Sequence, residues 1–262
     1  MINIKLARGI LRLGSFIQSL AVVVMKPDDL IEFGRQTYSD PEDVMYWARD
    51  SRVDMDLNEA ELELVEAIPK KQGKLLLLGV GGGRDAIPLA KMGFRVTGVD
   101  YIPAMVDVAI QNATRRGVTI GGLVQDISRL DVQAGAYDIV WIANEMYSCI
   151  PTRARRVEMV RRIAHALTRD GLFICQFRLH SGAKPSRKSM FLRRTVAAVA
   201  LGNFAYESGD ILWGNIEFTH EFSSEDTVRS ELEEGGLSIV RLRANQAQYR
   251  GDAVCRKKEQ VI

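Results

Sequence analysis

The sequence predicts an α/β protein: a doubly wound, mostly parallel seven-stranded sheet with helices on both faces, plus an N-terminal helical cap. Three observations carry this reading. From Lys74 onward, short apolar runs alternate with helix-length segments, the βαβ rhythm that sets strands parallel and covers both sheet faces. A glycine run, Gly79-Val80-Gly81-Gly82-Gly83, stands between the first of these strands and its helix. Residues 1–73, in contrast, carry helical patterns and few strand signals.

The elements follow in order. A first helix places Leu6, Ile10, Leu13, Ile17 and Leu20 on one stripe, with Lys5, Arg8, Arg12, Ser15 and Ser19 opposite. Its expected role is a lid packed on the core, with its charges in water. The alternative is a weak peripheral contact of residues 4–25 with an anionic membrane. A second helix, residues 57–68, closes on Pro69-Lys70-Lys71-Gln72-Gly73. Strands are expected over residues 75–80, 95–99, 119–125, 137–142 and 172–177. The helices between them cover residues 84–92, 103–116 and 152–168, with Pro103 at a first helical position and Arg115-Arg116-Gly117 at a C-terminus. Residues 180–222 interrupt the alternation as a cap insertion: an apolar helix over 191–204, then a strand-like run over 211–222. A helix over 224–234 and strands over 237–244 and 249–256 complete the chain. Residues 1–73 thus read as a cap and residues 74–262 as the α/β domain.

Composition sets the outer bounds. With 262 residues, 47% hydrophobic and 26% charged, one folded domain with an attached cap fits better than two independent units. A net charge of +2 is too mild to point to DNA, and no aromatics are interleaved with the cations as RNA binding would ask. The charge is uneven. Ten acids against two arginines fall in residues 40–66, and twelve Lys/Arg against two acids in residues 151–194, including the Lys184–Arg194 cluster. Cys149, Cys175 and Cys255 are odd in number and unpaired in spacing, which fits a reducing cytoplasm and no metal site. The longest N-terminal apolar run, residues 20–25, is far short of the ~20 residues a spanning helix needs, and no small-residue cleavage site follows. A cytoplasmic protein, in contact with membrane at most at its surface, is the expectation.

The glycine turn and the acid beyond it are the most informative pair. Glycines between a buried strand and a helix let the backbone approach a ligand, and the helix N-terminus offers free N–H groups to an anion. Twenty-one residues after Gly79, the second strand ends at Asp100, placed to accept from two ribose hydroxyls. A nucleoside-containing ligand follows. A dinucleotide fingerprint beginning at Gly79 would need glycine where Arg84 stands, so an NAD(P)-dependent oxidoreductase is the alternative reading. The spacing G-x-G-x-G is met in full by Gly79, Gly81 and Gly83.

With that spacing the sequence resembles the class I S-adenosylmethionine-dependent methyltransferases, a Rossmann-like superfamily. Val96-Thr97-Gly98-Val99-Asp100 looks like their second strand, and Tyr101-Ile102-Pro103-Ala104-Met105 like the segment beneath the adenine. Gln125-Asp126-Ile127 looks like the loop that reads the adenine amine, and Tyr137-Asp138-Ile139-Val140-Trp141 like the fourth strand. The turn Thr168-Arg169-Asp170-Gly171 resembles the entry to the fifth. The acid often found two residues before the first motif glycine is Leu77 here.

The resemblance implies S-adenosylmethionine as cofactor, S-adenosylhomocysteine as product, and a small-molecule or lipid-like acceptor. A non-catalytic S-adenosylmethionine-binding protein is the other alternative. The cofactor-binding candidates are Gly79, Gly81, Gly83, Arg84, Asp100, Tyr101, Met105, Asp126, Ile127 and Asn144. For Met105 core packing competes, and for Asp126 a helix cap. A general base is needed only when the acceptor must lose a proton. Glu145 and Tyr147, just after the fourth strand, are candidates for that role, with His180 and His220 from the insertion. Asp138 reads as structural, and His165 as surface or packing.

Overall fold

The computed structural model describes residues 2–180 and 186–258, the side chains of residues 2, 12 and 15 excepted. Leu75, Leu76, Leu77 and Leu78 have no exposed surface, the mark of a strand covered on both faces. They form β1 (Gly73–Leu78), which lies between β2 (Phe94–Asp100) and β4 (Tyr137–Ile142). Outward from these run β3 (Gly121–Val124) on one side and β5 (Leu167–Arg178), β9 (Arg250–Lys257) and β8 (Leu237–Asn245) on the other. The order in the seven-stranded sheet is β3-β2-β1-β4-β5-β9-β8, and β9 alone runs against its neighbours.

Alternate leucines of β1 feed two separate cores. Leu75 and Leu77 join Val96, Ile139 and Trp141 under α5 (Glu59–Glu66), α6 (Ala86–Lys91) and α7 (Pro103–Arg115). Leu76 and Leu78 join Val140, Phe173 and Cys175 under α8 (Arg153–Ala166) and α10 (Glu225–Glu234). Each such side chain adds about 1.5–3 kcal/mol by leaving water, which makes the helix–sheet–helix sandwich the stable arrangement. The fold class expected from the alternation is the one observed, with β1 and β4 at the point where the strand order reverses.

The N-terminal segment supplies α1 (Ile2–Val24), α2 (Pro27–Tyr38), α3 (Pro41–Ala48) and α4 (Asp50–Val53). Their acids account for the negative stretch of the sequence. Asp50 and Asp54 pair with Arg116 at the end of α7, Glu61 with Arg84, and Glu63 with Arg243. A Cβ on Gly82 would stand 2.0 Å from the Trp47 carbonyl oxygen, so glycine there lets the cap rest directly on the turn. Asn112 Nδ2 donates to Gly82 O at 2.8 Å and lies 3.4 Å from Ala48 O, stitching turn to cap. The positive stretch is likewise largely spent on ion pairs: Arg153 with Glu234, Arg155 with Asp28, and Arg156 with Glu231 and Glu207.

Two expectations are corrected. The strand-like run 211–222 is a hairpin, β6 (Asp210–Trp213) and β7 (Glu217–His220). Gly214 and Asn215 both take positive φ in the three-residue turn, 214–216, that joins Trp213 to its partner Glu217. The first helix does not lay its apolar stripe on the core: Leu6, Ile10, Leu13 and Ile17 are exposed, and only its last turn, with Val22 and Val23, is buried. At 23 residues it is also long and apolar enough to cross a membrane by length and composition, although its unbroken apolar run, residues 20–25, is short. It packs against α9 (Arg187–Ala200). Lys184 of the basic cluster lies outside the described residues.

Candidate active site

One cleft opens beyond the carboxyl ends of β1, β2, β3 and β4, where doubly wound sheets bind ligands. Its empty volume is about 540 Å³, open mouth included. Gly79, Asp100, Tyr101, Gln125, Asp126 and Ile127 line it from the sheet. The cap adds Leu30, Ile31 and Gly34 of α2, and the hairpin adds Glu217 and Phe218. Met146, Cys149 and Ile150, from the segment after β4, complete the wall.

The β2 end is built around a carboxylate. Asp100 accepts from the backbone N–H of Gly81 at 3.1 Å through Oδ2 and from Ile102 at 3.1 Å through Oδ1. Burial pushes its pKa up, and these backbone donors hold it back. Gly79 has φ +85° and packs so closely on Met146 that a Cβ would meet its sulfur at 2.0 Å. Asp126 caps the short 3₁₀ turn Ile127–Arg129 by accepting from Ser128 N at 2.8 Å through Oδ1, and still lines the cleft. Above Tyr101, α2 passes close: a Cβ on Gly34 would stand 3.4 Å from the tyrosine hydroxyl. A strand-end carboxylate and a second carboxylate on the next loop are acceptors that suit the hydroxyls and amine of a nucleoside, above a glycine floor.

The remaining candidates fall elsewhere. Gly81 and Gly83 shape the turn, with φ +48° and +97°, and do not line the cleft. Arg84 faces the cap, bonded to Glu61, with its Nη2 also 3.3 Å from Asn144 Oδ1, so it serves the docking of α5. Asn144 sits at φ +46° directly after β4. Met105 is buried in the α7 packing. Tyr147 is a correction: it is wholly buried, stacked on Phe222, and donates to Glu231 Oε2 at 3.0 Å. A 3₁₀ turn over Met146–Cys149 rotates its ring into the core, and the family spacing gave no hint of that turn. Glu145 is held between Arg178 at 3.1 Å and Arg250 at 2.5 Å, away from the cleft wall. His220 is buried against Phe222, with Nδ1 2.7 Å from Asp210. His180 reaches Glu221 at 3.0 Å. Asp138 accepts from Lys74 N at 2.8 Å, in the structural role read for it. Glu207, Asp210 and His220 come within metal-ligating distance of one another. Arg156 and backbone N–H groups already occupy those carboxylates, which makes the group a hydrogen-bonded corner.

Glu217 was not among the residues singled out from sequence. It lines the cleft with Cys149, and the neighbouring Cys149 thiol and Tyr38 hydroxyl favour its charged form. Burial pushes its pKa above the ordinary carboxylate range, against the pull of those donors and of Arg178. The same burial, with Glu217 nearby, pushes Tyr38 and Cys149 upward, so both stay protonated. Its only sequence signal was a polar residue at the start of an apolar strand.

The sheet order, the glycine turn and the strand-end carboxylate define a class I, Rossmann-like methyltransferase fold. Residues 75–171 match the methyltransferase domain family, and this segment is a class I S-adenosylmethionine-dependent methyltransferase domain, with S-adenosylmethionine as its cofactor. The chain is similar to the putative methyltransferase YqeM of Bacillus subtilis, 29% identical over 46% of this chain and 47% of that one. It is also similar to a ubiquinone biosynthesis O-methyltransferase of Coxiella burnetii, 33% identical over 39% and 44%. The chain thus spans about half the length of these curated relatives. In fold it matches a methyltransferase of Methanosarcina mazei with TM-score 0.59 and 17% identity, over 79% of this chain and 100% of that one. A TehB-like methyltransferase of Corynebacterium glutamicum gives 0.57 at 19% identity, over 85% and 100%.

Proposed function

We propose that the whole chain is a methyltransferase that transfers a methyl group from S-adenosylmethionine to a small or lipid-like acceptor bearing an ionisable hydroxyl. One observation carries this: a single cleft brings the strand-end carboxylate Asp100 and the loop carboxylate Asp126 together with the half-buried carboxylate Glu217. Asp100 holds the ribose hydroxyls, and Asp126 with Ile127 receives the adenine. When bound, the cofactor supplies a methyl group on a positively charged sulfur, displaced in line by the acceptor's lone pair. Glu217 takes the acceptor's proton. Tyr38 and Cys149 orient that carboxylate, and Leu30, Ile31 and Phe218 keep water from it. An O-methyltransferase among the relatives supports an oxygen acceptor. Three free thiols support a reducing, cytoplasmic location.

Calorimetry with S-adenosylhomocysteine tests the reading. Asp100→Ala removes two charge-assisted hydrogen bonds, for a net loss of about 2–3 kcal/mol after water partly replaces them. Affinity should fall about 30- to 150-fold. Asp100→Asn keeps the size of the side chain but puts an NH2 donor where one of the two acceptor oxygens bonds Gly81 or Ile102, so its affinity should fall as well. Wild-type affinity in both variants, or tight binding of NAD or NADP, would refute the assignment.

A further inference from the structure

The two helices that stand off the α/β body share a surface without a single acid. No Asp or Glu occurs in residues 1–27 or 171–206, which contain all of α1 and α9. In the most apolar stretch of α1 only 12% is buried. Leu6, Ile10, Leu13 and Ile17 form an exposed stripe at helical spacing, and α9 adds Phe191 and Val199, exposed by 74% and 83%. Lys5 and Arg8 on α1 and Arg187, Lys188 and Arg194 on α9 are exposed as well. Apolar patches of this extent rimmed by one sign of charge mark interaction surfaces.

The pair is rigidly joined where it meets the body. Arg193 is buried and donates to Ser19 O and Ser19 Oγ, both at 2.8 Å. Asn203 N donates to Val23 O at 2.7 Å, and Gly202 lies so close that a Cβ would stand 2.5 Å from that oxygen. Val22 and Val23 then pack with Leu30, Ala197 and Phe218 in one buried cluster. Leu30 and Phe218 are walls of the cleft.

We propose that α1 and α9 dock the chain on an anionic lipid bilayer, α1 lying in the interface plane, so that the cleft takes an acceptor dissolved in that bilayer. The last clause rests on the methyltransferase reading; the docking does not. Charge complementarity selects the partner: an acid-free face with cations beside an apolar stripe fits acyl chains next to anionic headgroups. The in-plane orientation follows from Lys5 and Arg8, on the side of α1 opposite the stripe, which a spanning helix would carry into hydrocarbon.

The test is cosedimentation of the full chain with phosphatidylcholine vesicles, with and without roughly one-third phosphatidylglycerol. Binding is expected to the anionic vesicles only and to weaken at high salt. Lys5→Gln with Arg8→Gln should lower partitioning at least tenfold, because each cation near such a surface is worth roughly fivefold. Ile10→Asp with Ile17→Asp should abolish it, with melting temperature and S-adenosylhomocysteine affinity unchanged, since both side chains are exposed. No binding, or equal binding to neutral vesicles, would overturn the proposal. So would a dimer in light scattering that Ile10→Asp dissociates, or a membrane-bound fraction that resists alkaline carbonate. Vesicle binding without S-adenosylhomocysteine binding would sink the enzymatic reading and leave the docking surface standing.

Discussion

At the scale of single residues, the cleft separates roles that local sequence could suggest from those it could not. Asp100 and Asp126 were legible because one ends a strand and the other closely follows one, each at a known distance from the glycine turn. Glu217 was not, because it arrives from a hairpin 117 residues beyond Asp100 in the chain. Its proposed work as a proton acceptor has a direct consequence. Burial raises its pKa, so the carboxylate becomes competent only as pH rises through that raised value. The acid limb of kcat/KM should therefore lie above the ordinary carboxylate range and disappear in Glu217→Gln. Turnover should fall about 10²- to 10⁴-fold in that variant, the usual weight of a general base. Affinity for S-adenosylhomocysteine should stay within about twofold, because the ribose and adenine contacts are elsewhere. Unchanged turnover with an unchanged pH profile would remove Glu217 from the mechanism.

At the scale of elements, α8 and α10 are joined by a buried charge network. Arg156, with no exposed surface, donates to Glu231 through Nε at 2.9 Å and Nη2 at 2.8 Å. The same guanidinium reaches Glu207 at 3.0 Å and the Ile150 carbonyl at 3.2 Å, tying in the cap insertion and the segment after β4. Tyr147 adds its hydroxyl to Glu231. Arg156→Met should cost about 3–5 kcal/mol, since it leaves the Glu231 carboxylate buried without its counter-charge. The double variant Arg156→Met with Glu231→Leu should recover much of that loss. Urea unfolding measures both, and equal destabilisation of single and double variants would contradict the account. The network also explains a misreading of the segment after β4. Family spacing places Tyr147 beside the acceptor, while the partners that draw it inward, Phe222 and Glu231, lie far along the chain.

At the scale of the whole molecule, the cap walls the cleft proposed to hold the cofactor. Leu30, Ile31 and Gly34 of α2 face the same cleft as Asp100 and Tyr101. A ligand there ties cap to sheet, and at 100 times its Kd it should add about 2.7 kcal/mol to stability. Hydrogen exchange of α2 amides should slow on addition of S-adenosylhomocysteine, while amides of the first turns of α1 stay fast. Protection confined to the sheet would show that α2 does not close on the ligand.

What the sequence determined by itself was the sandwich and its ligand edge. Strand and helix periodicity are local properties, and Leu75 to Leu78 followed by Gly79 already require a buried strand that turns at a ligand. The tertiary structure decided which side chains share that edge. Gly82 is glycine because Trp47 lies on it, and Arg84 is bonded to Glu61 of the cap. It also decided that the stripe of α1 faces outward, for an amphipathic pattern records that a face is apolar and not what covers it. Such pairings depend on contacts between segments far apart in the chain, where spacing along the sequence carries no distance in space.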